Sequence, residues 1–321
     1  MMEKLNKNLP AKILPLNKIL CGDALCELQK LPAESVNCVV TSPPYYCLRD
    51  YGVSGQIGLE KSPEQYIENL VNVFSECYRV LKNDGTMWVV IGNSYAGSGR
   101  GKGDINKKGI QQKASYVGDM FDKPYRLTGY KSKDLIGTPW ALALSLRERG
   151  WYLRQDIIWY KPNTMPESVT DRCTKAHEYI FLFSKSPKYY FKKILEPANY
   201  DNRKNLFKSP SQKYLEGGTG LQVQTISKGG YRWQSVGGQF VRNKRDVWHV
   251  PTRAFKEAHF ATFPPDLIRP CIAAGCPENG VVLDVFMGAG TTAVVAQELG
   301  RNFVGIELNP EYVRIAEKRL K

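Results

Sequence analysis

The 31 residues from Gly280 to Pro310, GVVLDVFMGAGTTAVVAQELGRNFVGIELNP, constrain the fold of this 321-residue chain more than any other stretch. A short apolar run (GVVLDVF) leads into a glycine turn, a helix-length segment (TTAVVAQELG) and a second apolar run (NFVGIEL). Strand, helix, strand in so compact a space reads as a crossover unit of a parallel sheet. Such a sheet is covered on both faces, so further units of the same kind are expected upstream. They are present. VNCVV (36–40) reads as a buried strand, and SPEQYIENLVNVFSECYRVLKNDG as a helix capped by Ser62 with Pro63 in its first turn. Its apolar face repeats at Ile67, Leu70, Val71, Phe74, Tyr78 and Leu81. TMWVVIG (86–92), YLRQDIIWY and EYIFLFS read as strands; TPWALALSLRERG reads as a helix capped by Thr138 and closed by Gly150, and NPEYVRIAEKRL as one capped by Asn309. The expected fold is α/β: a doubly wound, mostly parallel sheet, and 42% apolar residues suffice for one large core or two modest ones.

The glycine turn also carries chemistry. Gly288 and Gly290 let the backbone turn off a strand and approach a ligand, while Thr291 and Thr292 open the next helix and are expected to cap it. Roughly twenty residues on, Glu307 ends the following strand, where a carboxylate accepts hydrogen bonds from ribose hydroxyls. The combination points to a nucleoside-containing cofactor. The glycines alone also satisfy a dehydrogenase fingerprint, but that fold builds its remaining cofactor domain after the motif, and here the other strands lie before it.

Charge narrows the partner. The net charge is +14, and it is concentrated: residues 100–133 hold nine Lys and Arg against three acids, and 185–256 hold fifteen against four. Both stretches are rich in Gly, Ser, Asn and aromatics and poor in periodicity, which favours a polyphosphate partner. The eight cysteines form no C-x-x-C pair and the three histidines are scattered, so no metal site or disulfide framework is expected. No apolar window approaches the length of a membrane span or signal peptide, so a cytoplasmic location is expected.

Directly after the strand at 36–40 comes TSPPYYCLRDYG, a stiff aromatic elbow. Together, TSPPY after a strand, FMGAGTT, and a basic segment between them resemble the beta group of S-adenosylmethionine-dependent DNA amino-methyltransferases, whose sheet is circularly permuted. CGDAL, DIIWYKPN, HEYIFLFSKSPKYYF and HFATFPPDLIRPCIAAG resemble further family segments in the expected order. The likeness covers most of the chain outside 94–133 and 185–256. It implies that the permuted sheet carries an inserted target-recognition region. The expected division is a catalytic part over 1–184 with a variable basic loop at 94–133, a target-recognition region at 185–256, and a cofactor-binding part at 257–321.

The resemblance assigns roles. An exocyclic base amine is a poor nucleophile because its lone pair is delocalised, and acceptors on a rigid turn can draw its N–H bonds out of plane. Ser42 Oγ and the Pro43 carbonyl are the expected acceptors, Pro44 stiffens the elbow, and Tyr45 stacks on the extruded base. Asp23, Phe263, Asp284, Phe286, Gly288, Gly290, Thr291 and Glu307 are the expected cofactor residues, with Asp284 on the methionine amine and Asp23 on the adenine amine. Arg232, Arg242 and Arg245 are candidates for DNA contact. Asp50 or bulk water is the candidate proton acceptor; Trp159 and Lys161 lie on the base side, and His177 and Glu178 are expected to be structural. Serine at position 42, where adenine-N6 members usually carry Asp or Asn, points to cytosine N4 in duplex DNA, with adenine N6 as the alternative. A nicotinamide oxidoreductase and a catalytically silent nucleic-acid-binding module remain as readings from other classes. A cognate restriction endonuclease acting separately is a possible partner.

Overall fold

The structure, a computed structural model, describes residues 12–96, 129–197, 224–228, 231–236, 239–253 and 262–321. Most of the expected basic loop at 94–133 lies outside these residues, as does part of 185–256. The chain divides into two compact units, 1–191 with 247–321 and 192–246.

The larger unit is built on one eight-stranded sheet. Its strands are β1 (Lys18–Cys21), β2 (Val36–Thr41), β3 (Leu81–Ile91), β4 (Tyr152–Tyr160), β5 (His177–Ser184), β10 (Val247–His249), β11 (Val281–Asp284) and β12 (Asn302–Glu307). Their order across the sheet is β1-β12-β11-β2-β3-β5-β4-β10. All neighbours run parallel except β5, which is antiparallel to both β3 and β4. The connection between β4 and β5, residues 161–176, contains no helix to carry a parallel crossover, and the chain returns antiparallel beside β4. The expected doubly wound, mostly parallel sheet is observed. β10 joins this sheet although its residues fall within the stretch 185–256.

Among the described residues, six helices accompany the sheet: α1 (Ala24–Lys30), α2 (Pro63–Val80), α3 (Thr138–Glu148), α4 (Pro265–Gly275), α5 (Thr291–Glu298) and α6 (Pro310–Arg319). Alternation along β3 shows how both faces are covered. Met87, Val89 and Ile91 join the core formed with α1, α2 and α3, whereas a side chain at Gly275 of α4 would collide with Thr86 and Trp88. Among the described residues no helix is long and apolar enough to cross a membrane.

Capping follows the sequence at two helices and departs from it at two. Ser62 accepts from the Gln65 amide at the start of α2, and Asn309 from the Glu311 amide at the start of α6. Thr138 and Thr291 do not cap; each is the first helical residue, and the caps are Gly137 (φ 83°) and Gly290 (φ 82°) in left-handed conformation. Both threonines are buried, and Thr292 turns its hydroxyl to Asp284 instead of to a helix amide.

The smaller unit contains a four-stranded antiparallel sheet in the order β6-β9-β8-β7, from β6 (Leu195–Pro197), β7 (Gln224–Lys228), β8 (Tyr231–Val236) and β9 (Gln239–Asn243). Arg232 lies on β8. Arg242 on β9 and Arg245 after it both pair with Glu196 Oε1, at 2.9 and 2.7 Å.

Candidate active site

Strand adjacency brings the two ends of the chain together. β11 pairs with β2 (Leu283 with Val39) and β12 pairs with β1 (Glu307 with Cys21), all parallel. The loops leaving these four strands therefore emerge at one edge, where ligands of open α/β sheets bind. A cavity of about 470 Å³ opens there. One side is lined by Asp23, Phe263, Phe286, Gly288, Thr291 and Glu307. The other is lined by Ser42, Pro43, Pro44 and Tyr45 with Trp159, Lys161 and Glu178.

On the first side the glycine loop is held by two carboxylates. Glu307 Oε2 accepts from the Gly288 amide at 2.7 Å and Oε1 from the Asn309 amide at 2.8 Å. Each oxygen keeps a lone pair for a further donor. Burial pushes the Glu307 carboxyl upward, opposed by those amides. Gly290 is required twice over: its φ is 82°, and a Cβ there would lie 2.7 Å from Ala316 Cβ in α6. A side chain at Gly288 would instead project into open space. Phe286 stands edge-on to Phe74 at 6.5 Å and borders the cavity. Asp23 borders it too, and caps α1 by accepting from the Cys26 amide at 2.9 Å.

Asp284, the second carboxylate, corrects the sequence reading. It is fully buried and is not among the residues lining the cavity. Its Oδ1 accepts from Thr41 Oγ1 at 2.6 Å and the Phe286 amide at 3.1 Å, and its Oδ2 from Thr292 Oγ1 at 2.6 Å. Those three donors occupy it as a clamp between β2, the glycine loop and α5, not as a ligand for an amine. Burial pushes its carboxyl up to about 6 despite them.

On the second side the elbow is anchored from behind. The Tyr66 hydroxyl donates to the Pro44 carbonyl at 2.9 Å, and the Cys47 amide to the Gly58 carbonyl at 2.8 Å. The Tyr45 ring packs on Gly92, where a Cβ would come within 2.6 Å of it. Its hydroxyl donates to Glu178 Oε2 at 2.6 Å, and the other Glu178 oxygen pairs with Lys161. The Lys161 ammonium sits 4.3 Å from the centre of the Trp159 ring, whose indole N–H donates to the Val250 carbonyl at 2.8 Å. Burial and then the Glu178 charge push the Tyr45 phenol well above its ordinary range, while the Ser42 hydroxyl acts the other way.

Two further expectations change. Asp50 does not line the cavity, and its carboxylate accepts from the Gly52 amide at 2.8 Å within its own turn. Glu178, expected to be structural, lines the cavity beside Tyr45, whereas His177 stands edge-on to Tyr179 and does not. The signal in the sequence was a carboxylate near the head of an apolar strand; the register that sets Glu178 opposite Trp159, two residues before Lys161, belongs to the tertiary structure.

Comparison with known proteins agrees with this geometry. A family model described as DNA methylase (N6_N4_Mtase) matches residues 36–318. The type II methyltransferase M.Cfr9I of Citrobacter freundii is 46% identical over 100% of this chain and 92% of its own length. M.SmaI of Serratia marcescens, also a type II methyltransferase, is 44% identical over 94% of this chain and 90% of its own. Among solved structures, the cytosine-N4-specific PvuII DNA methyltransferase superposes with a TM-score of 0.60 at 19% identity, covering 95% of this chain and 86% of its own. A Thermus thermophilus protein solved in complex with S-adenosyl-L-methionine gives 0.57 at 22% identity, covering 94% and 92%. With the elbow and the glycine loop facing one cavity and most of the length matched, this chain belongs to the N6/N4 DNA methylase family.

Proposed function

We propose that this protein transfers a methyl group from S-adenosylmethionine to the exocyclic N4 of a cytosine rotated out of duplex DNA, as the modification enzyme of a restriction system. The observation that carries the reading is the cavity shared by the SPPY elbow and the glycine loop. Serine at position 42, and the type II designation of M.Cfr9I and M.SmaI, support the finer points.

The residues present fit the cofactor. Gly288 leaves room where a side chain would stand, Glu307 retains acceptor capacity toward the cavity, and Asp23, Phe263, Phe286 and Thr291 enclose the same side. When bound, the cofactor supplies an electrophilic methyl on a sulfonium with a neutral thioether as leaving group. The chain orients and reshapes the nucleophile. Ser42 Oγ and the Pro43 carbonyl accept the two amine N–H bonds, which localises the nitrogen lone pair. The Tyr66 hydrogen bond to Pro44 and the Tyr45 contact with Gly92 fix the elbow in advance, so little reorganisation is needed at the moment of transfer. The Tyr45 and Trp159 rings border the space an extruded base enters. Arg232, Arg242 and Arg245 of the 192–246 unit contact phosphates or base edges, and Glu196 keeps the last two extended until DNA replaces it. A restriction endonuclease of the same specificity, acting separately, is the partner this role calls for.

Mass spectrometry of nucleosides from duplex DNA incubated with protein and cofactor tests the proposal. N4-methylcytosine is expected; N6-methyladenine would move the assignment to adenine, and unmodified nucleosides would refute it.

A further inference from the structure

The loop at 161–176 leaves β4 at the edge of the sheet where the cavity opens, and its first residue, Lys161, lines that cavity. The start of the loop is fixed. The Thr164 amide and hydroxyl both donate to the Lys161 carbonyl, at 3.3 and 2.7 Å. Asn163 Nδ2 donates to the Thr252 carbonyl and its Oδ1 accepts from the Thr252 amide, both at 2.9 Å, and Thr252 also lines the cavity. Further along, Glu167 accepts from Arg172 at 2.6 Å, and that guanidinium lies 4.2 Å from the centre of the Tyr95 ring. Pro162 and Pro166 fix two more φ angles in the same span. Between these anchors stands Met165, 82% exposed. Among the described residues the other large apolar side chains that are exposed reach at most 51%, except Ile13 at 86%. Ile13 precedes β1, toward the opposite end of the sheet from the cavity. A single exposed apolar side chain is ordinary in itself. Anchoring on both sides, at the mouth of a cavity that admits a base, gives this one a use.

We infer that Met165 is the wedge that enters the duplex as the target base leaves it, in the reaction proposed above, on which this inference rests. Rotating a base out of the helix forfeits its stacking and opens a gap that the base can refill. An apolar side chain inserted between the flanking bases recovers part of that stacking and blocks the return. Methionine suits the task because it is unbranched and polarisable, so it fits between stacked rings and makes favourable contacts with them. The anchors at Asn163, Thr164 and Glu167 keep the backbone from yielding as the side chain enters. Leu48, the exposed apolar residue of the elbow, lines the cavity itself and so borders the extruded base, not the gap it leaves.

Single-turnover transfer of labelled methyl to a duplex that the unmodified protein labels, with both substrates saturating, tests the wedge. Met165→Ala is expected to slow transfer about twentyfold, whereas Met165→Leu stays within about threefold of the unmodified protein because it still fills the gap. The cofactor dissociation constant and the urea midpoint are expected to be unchanged in both, since the side chain is exposed and does not line the cavity. Ile13→Ala, an equal truncation at an equally exposed site, is expected to transfer at the unmodified rate. A second duplex, with hypoxanthine in place of the guanine opposite the target cytosine, keeps the major-groove acceptors but pairs through two hydrogen bonds instead of three. Extrusion is easier there, so the deficit of Met165→Ala is expected to shrink at least threefold. Met165→Ala within about threefold of the unmodified protein on the first duplex, Met165→Leu as slow as Met165→Ala, or an equal deficit on both duplexes overturns the wedge. If the unmodified protein labels no DNA, the underlying reading falls and takes the wedge with it, whereas a labelling protein with an undiminished Met165→Ala variant removes the wedge alone.

Discussion

Replacing Asp284 by asparagine isolates the cost of a buried charge at the centre of the fold. The carboxylate has no exposure and its carboxyl is pushed up to about 6 from 3.8 by burial, even with three hydrogen bonds opposing the shift. An acid whose pKa is raised by folding binds more protons native than unfolded, so its contribution to stability is greatest below the unfolded value and is lost as pH rises through the native one. The full loss is about 3 kcal/mol, of which about 2 kcal/mol falls between about pH 4 and about pH 7. Asparagine preserves the geometry. Its carbonyl can take the place of Oδ1 toward Thr41 and Phe286, and its amide can donate to Thr292 Oγ1, which reverses its own role from donor to acceptor. The variant therefore has no titrating group here; its second amide N–H and the Thr292 hydroxyl proton lack the acceptor the carboxylate supplied, a cost that does not vary with pH and drops out of the pH difference. Urea unfolding of both proteins across this pH range measures the difference, in which all other titrations cancel. Relative to the unmodified protein, Asp284→Asn is expected to gain about 2 kcal/mol between the two ends of the range. A difference that stays flat with pH would show that Asp284 carries no ionisation cost, and a difference that falls would reverse the sign of the reasoning.

Three other perturbations probe the cavity. Glu307→Ala removes two charge-assisted acceptors and is expected to weaken cofactor binding about a hundredfold or more, measured by calorimetry, with retained methyl transfer at saturating cofactor. Ser42→Ala is expected to lower turnover about ten- to a hundredfold while the cofactor dissociation constant is unchanged; a matched loss of cofactor affinity would contradict its place on the base side. Gly290→Ala combines a left-handed backbone with a 2.7 Å contact to Ala316 and is expected to cost about 2–4 kcal/mol in urea unfolding. Gly288→Ala, which points into open space, is expected to cost only the backbone part, about 1–2 kcal/mol, so equal losses would show that the packing against α6 is unimportant.

Much of the site was legible because its determinants are local. A glycine turn between a strand and a helix, a carboxylate at the next strand end, and a proline pair after an apolar run all act within a few residues, and Gly288, Glu307 and Ser42 all border the cavity. The capping errors at Thr138 and Thr291 arose where a threonine followed a glycine. The glycine reached the left-handed conformation that starts the helix, and the threonine was buried as its first residue. Asp284 and Asp50 were misjudged for a related reason: each found donors close by, and sequence does not reveal whether a carboxylate turns toward ligand or backbone.

By itself, the sequence determined the α/β class, the positions of most strands and helices, the two loops that carry chemistry, and the basic segments between them. These follow from side-chain periodicity, turn residues and charge, which physical chemistry reads over short spans. Tertiary structure decided which strands are neighbours. Thr41 and Asp284 are 243 residues apart and hydrogen-bonded, because β2 and β11 bury their apolar faces side by side. It also decided that Glu178 stands at the elbow, since antiparallel pairing of β4 with β5 sets it against Lys161 and Tyr45. Contacts between distant segments depend on how all the apolar faces are covered at once, and no local pattern records that outcome.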